Sequence, residues 1–75
     1  MNKYYYTFGT DPVYPLCGGY VIVFAGDWSE AHRKFRTKYQ DVPGKVGVIN
    51  CAFFYDERAW KKNKVNMGIC HKVIK

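Results

Sequence analysis

Tyr4, Tyr6 and Phe8 alternate with Tyr5 and Thr7, a period of two in residues that favour a pleated surface, and this predicts a first strand. Gly9-Thr10-Asp11-Pro12 breaks the pattern, and Pro12, Pro15, Gly18 and Gly19 mark a wide loop. The next apolar run, Gly19 to Ala25, is hydrophobic at both alternating sets of positions, as in a central strand covered by a helix on at least one side. It predicts a second strand antiparallel to the first. Asp27-Trp28-Ser29-Glu30 then carries a helix start, with Asp27 able to accept from the first free amides and Glu30 able to reach back. Trp28, Ala31, Phe35 and Tyr39 or Lys38 fall on one helical stripe for packing on the sheet, leaving His32, Arg33, Lys34, Arg36 and Thr37 outside it.

Gln40-Asp41-Val42-Pro43-Gly44 ends that helix, and Val46 to Tyr55 is β-rich, with Ile49, Cys51, Phe53 and Tyr55 on one face and Val48, Asn50, Ala52 and Phe54 on the other. A third, central strand is expected here. Asp56 to Lys62 repeats the helix-start chemistry in miniature, with an aspartate cap and lysines in the last turn. Asn63 to Gly68 is polar, and Ile69 to Ile74 reads as a final short strand. The order is β-β-α-β-α-β. It predicts one α+β domain over residues 1–75, two-layered, with a mostly antiparallel sheet and one main amphipathic helix.

Size and composition narrow the picture. Seventy-five residues, 48% of them apolar, suffice for one small core and no second domain. The run from Tyr20 to Ala25 is far short of the roughly 20 apolar residues that span a bilayer, and Met1 to Phe8 lacks the apolar region of a secretory signal, so a cytoplasmic protein without a membrane partner is expected. Twelve Lys and Arg against six Asp and Glu give a net charge of +6, which attracts polyanions and acidic protein faces. The excess gathers in Arg33, Lys34, Arg36 and Lys38, in Lys61, Lys62 and Lys64, and at Lys72 and Lys75. The same charge also serves solubility alone.

Cys17, Cys51, Cys70, His32 and His71 are the soft ligands, but zinc sites present theirs as pairs two to four residues apart. The adjacent Cys70-His71 would point to opposite faces of a strand. In a reducing compartment thiols are expected rather than a disulfide framework, and Cys51 reads as a small buried hydrophobe. A Cys-His pair invites a nucleophile reading, yet nothing at a recognisable spacing orients it, and no phosphate loop or carboxylate pair appears. No metal, no cofactor and no enzymatic activity are therefore expected.

Tyr4, Tyr6, Phe8, Phe53 and Tyr55 among basic residues could stack single-stranded bases, although a core of this size needs about that many aromatics. The RNA-recognition fold begins strand-helix-strand and carries a basic-Gly-aromatic pattern, neither of which this chain has. Tyr14 and Leu16, set between Pro12 and Gly18, either present an apolar anchor to a partner or fold back to cap the core.

Tyr6-Thr7-Phe8-Gly9-Thr10-Asp11-Pro12, Gly18-Gly19-Tyr20-Val21, Glu30-Ala31, Phe35, Asn50-Cys51-Ala52-Phe53-Phe54-Tyr55, Trp60 and Cys70-His71 together span nearly the whole chain. In this set the chain resembles a group of small uncharacterised proteins from phages and mobile elements of Gram-positive bacteria. The resemblance assigns no residue a role. It implies a setting in which compact proteins act by binding, including anti-CRISPR and other anti-defence inhibitors. The expected function is non-enzymatic binding of a host protein or nucleoprotein complex in the bacterial cytoplasm, through Arg33, Lys34, Arg36, Lys38, Lys61, Lys62 and Lys64 with Tyr14 as anchor. Direct nucleic-acid binding by the basic helix is the alternative, and a homo-oligomer built on an uncovered strand or sheet face is the third reading.

Overall fold

The computed structural model describes residues 1–9, 12, 14, 16–40, 50–62 and 68–75. Among them lie β1 (Asn2–Thr7), β2 (Tyr20–Ala25), α1 (Trp28–Lys38), β3 (Phe53–Asp56), α2 (Glu57–Lys62) and β4 (Cys70–Ile74). The sheet order is β3-β1-β2-β4. β1 runs antiparallel to both of its neighbours, and β4 is parallel to β2. The expected α+β class and mostly antiparallel sheet are what the structure has.

From these directions, β2, β3 and β4 all run one way and β1 alone runs the other. Parallel strands need a crossover over a sheet face, and the chain makes two. The first, β2-α1-β3, passes over the face presenting Tyr4, Tyr6, Val21 and Val23. The second, β3-α2-β4, passes over the opposite face, where Trp60 stacks on Tyr5 with ring centroids 4.3 Å apart and planes 5° from parallel. Alternation along β1 sends its tyrosines both ways, so Tyr4, Tyr5 and Tyr6 are all buried.

The main core lies under α1. Ala31 and Phe35 are buried there with Tyr6, Phe8, Val21, Val23 and Ile74, and half-buried Trp28, Tyr39, Tyr14 and Leu16 pack around them. The helix begins as its sequence predicts: Glu30 N–H donates to Asp27 Oδ1 at 2.8 Å, and Glu30 Oε1 accepts from the Gly26 N–H at 2.7 Å. It ends when Tyr39 turns extended while its N–H donates to Phe35 O. Asp56 caps α2 in the same way, accepting from the Ala59 N–H at 2.7 Å.

The third strand differs from its expectation. β3 has four residues and lies at the sheet edge, and Val46 to Ile49 fall outside the described residues. The chain bends before Phe53: Ala52 N–H donates to Thr7 O at 2.8 Å, Thr7 Oγ1 donates to Phe53 O at 3.0 Å, and Cys51 joins the α1-side core instead of sharing a face with Phe53. An unbroken apolar run does not tell an edge from a centre. Phe53 and Phe54, 65% and 46% exposed, are the result of having one neighbour strand and a helix that reaches only part of the edge.

The β1–β2 loop and β4 meet at Gly19. Its φ is +71°, and a Cβ there would lie 2.5 Å from both His71 Nε2 and Ile69 O. Tyr20 N–H donates to that Ile69 carbonyl at 2.9 Å, and His71 Nε2 hydrogen-bonds Gly18 O at 2.7 Å. Gly18, with φ +67°, faces open space. Urea denaturation is expected to place Gly18→Ala near the left-handed backbone cost of about 1–2 kcal/mol and Gly19→Ala clearly beyond it, because steric overlap adds to that cost. Phe35→Ala, which empties the centre of the α1 interface, is expected to lower stability by about 3–5 kcal/mol in the same measurement.

Candidate functional site

At 3.6 residues per turn, positions 29, 32, 33, 36 and 37 form one stripe of α1, beside the one that packs on the sheet. Ser29, His32, Arg33, Arg36 and Thr37 line an open depression of about 540 Å³ on this stripe. Arg33 is well exposed and holds Glu30 only at 3.8 Å, an arrangement that leaves its charge largely available. Thr37 Oγ1 donates to Arg33 O at 2.9 Å.

His32 joins this depression to an aromatic cluster. His32 Nδ1 lies 2.9 Å from the Tyr6 hydroxyl. Burial pushes the Tyr6 phenol far above its ordinary range, with Cys51 and Tyr4 adding to the shift and Arg36 opposing it. Burial also lowers the His32 imidazole, and the neighbouring Arg36 charge lowers it further. The protonated phenol and the neutral imidazole thus share one hydrogen bond between the Tyr6 hydroxyl and Nδ1. Trp28 and Phe54 close round the histidine, with centroids 5.2 and 5.0 Å from its ring. Phe54 approaches from β3 and leaves nearly half its surface in solvent.

The residues singled out in the sequence do not form one patch. Arg33 and Arg36 flank the depression. Lys34 is drawn to the end of β2, where Nζ donates to Phe24 O at 2.8 Å. Lys38 is exposed in the last turn, where its charge suits the helix dipole. Lys61 and Lys62 ride on α2, which packs through Trp60 on the opposite face of the sheet, and Lys61 lies 3.8 Å from Glu57. Lys64 falls outside the described residues. Tyr14 is half-buried and packs against the core.

Ser29, His32, Thr37 and Phe54 were not singled out as site residues by sequence. The helical spacing of the first three around Arg33 and Arg36 was the available signal; Phe54 depends on the position of β3 at the sheet edge. A second depression, of about 400 Å³, has Lys3, Arg58, Asp56 and Glu57 among its walls and selects no sign of charge.

Cys70 and His71 serve separate ends. Cys70 is exposed, with Sγ 3.5 Å from Lys72 O, while His71 is held against Gly18. Among the described residues there is no group of three or more His, Cys, Asp or Glu side chains that could hold a metal, and no helix is long and apolar enough to cross a membrane. Comparison of the chain with protein-family models, with curated proteins and with solved structures finds no match.

The lowered His32 pKa has a consequence for stability. The unfolded imidazole takes up a proton near pH 6.5 while the folded one resists, so the unfolded state binds more protons in that window and stability falls as pH drops below about 6.5 towards the lowered folded value. Denaturation midpoints measured between about pH 7.5 and 5 should fall less steeply for His32→Asn, which keeps an acceptor for Tyr6 but does not titrate. Equal slopes in the two proteins would contradict the assignment.

Proposed function

We propose that the chain is a non-enzymatic binding protein whose α1 face docks on an anionic group of a macromolecular partner. The observation that carries this reading is that two arginines, a histidine, a serine and a threonine line one open depression, in a chain of net charge +6. Guanidinium forks match carboxylate and phosphate oxygens in pairs. Binding rather than catalysis is supported by the use made of the imidazoles: His32 satisfies a buried phenol and His71 ties β4 to the β1–β2 loop.

In the phage or mobile-element setting implied by the sequence resemblance, the partner is a host protein or nucleoprotein complex of the bacterial cytoplasm. Occupying its anionic surface, or competing for its nucleic acid, is how a protein of this kind would inhibit a defence complex. The site of that action is Arg33 and Arg36 rather than the lysines of α2.

Affinity purification of the tagged protein from a bacterial lysate, with and without nuclease, tests this. Wild type should recover a stoichiometric protein or nucleic-acid partner at low salt. The double variant Arg33→Ala/Arg36→Ala should recover at least about tenfold less, the effect of losing charge-assisted hydrogen bonds. Equal recovery by both proteins would remove the reading.

A further inference from the structure

Beside the arginines lies an aromatic surface with no structural duty that requires its exposure. Phe54 sits on the edge strand β3, on the α1 side of the sheet, as its pairing with Tyr6 fixes. Its ring touches Trp28 and His32 at 5.1 and 5.0 Å, so it is held in place from one side, and it remains 46% exposed on the other. His32 belongs to both surfaces: it lines the depression with Arg33 and Arg36 and packs against Phe54. A cationic, hydroxyl-bearing depression and a half-exposed aromatic ring therefore adjoin across one imidazole.

We propose that this juxtaposition is a binding site for single-stranded nucleic acid, in which Arg33 and Arg36 take a backbone phosphate and Phe54 stacks an adjoining base. The inference rests on the reading of α1 as an anion-binding face and names the occupant of that face. A nucleotide carries an anion and an apolar π-surface on one unit, and the protein presents a partner for each on either side of His32. An acidic peptide would use the arginines and leave Phe54 without a partner. A duplex would offer phosphates with its bases already stacked internally, and so would leave Phe54 idle as well. The charge complement, +6 against a polyanion, favours the same occupant.

The test is fluorescence anisotropy with the full chain and three probes: labelled oligothymidylate or oligouridylate, a DNA duplex of equal length, and labelled poly-glutamate. Wild type should bind the single strands more tightly than the duplex or the polypeptide, with affinity falling as salt rises. Phe54→Ala should weaken single-strand binding by about 5- to 100-fold, the effect of losing one base–aromatic stack, and leave duplex and poly-glutamate binding unchanged. Phe54→Trp should retain binding. Because Phe54 is half in solvent, both variants are expected to fold, which circular dichroism checks. The thymidylate and uridylate arms distinguish DNA from RNA.

Single-strand affinity indifferent to Phe54→Ala, or a wild-type preference for duplex or poly-glutamate, would overturn the inference. If Arg33→Ala/Arg36→Ala still abolished polyanion binding in that case, the anion-binding face would stand and only its occupant would change. If the arginine variant bound every probe as wild type does, both readings would fall.

Discussion

Tyr6 is fully buried, and a phenol cannot be buried without giving its hydroxyl a partner. The ring stacks on Phe35 with centroids 4.3 Å apart, and the hydroxyl meets His32 three residues earlier on the same helix. These two contacts lock α1 to the central strand in both position and rotation about its axis. Once the helix is fixed at residues 32 and 35, the 100° step per residue decides the rest. Trp28 and Ala31 go inward, and Arg33, Arg36 and Ser29 go to the open side. The basic depression is thus the reverse side of a packing solution, and its orientation is set by an interaction in the core.

The topology separates charges that lie close in composition. Three strands run together around one opposed strand, and the two crossovers they require pass over opposite faces of the sheet. The arginines of α1 and the lysines of α2 are consequently divided by the full thickness of the domain. Lys34 leaves the set for a different reason, because it serves a carbonyl that β2 can no longer pair within the sheet.

Local elements were legible in the sequence because local chemistry determines them. Asp27 and Asp56 mark helix starts through hydrogen bonds spanning three residues, and the alternation of Tyr4, Tyr6 and Phe8 with Tyr5 and Thr7 forecasts the first strand. What the sequence did not carry is long-range pairing. Nothing within Asn50 to Tyr55 tells that this apolar run bends at Ala52 and ends on an edge, since that depends on the Thr7 carbonyl and hydroxyl some 45 positions away. The candidate site was half legible for the same reason. Arg33 and Arg36 stood out as charges in a helix, whereas the contribution of Phe54 waited on the strand order.

Asp56 is both the final residue of β3 and the cap of α2, so strand and helix join without a linker. Such a joint has no slack. Phe54, on the α1 side of the sheet, and Trp60, stacked on Tyr5 on the far side, are therefore connected through strand and helix alone.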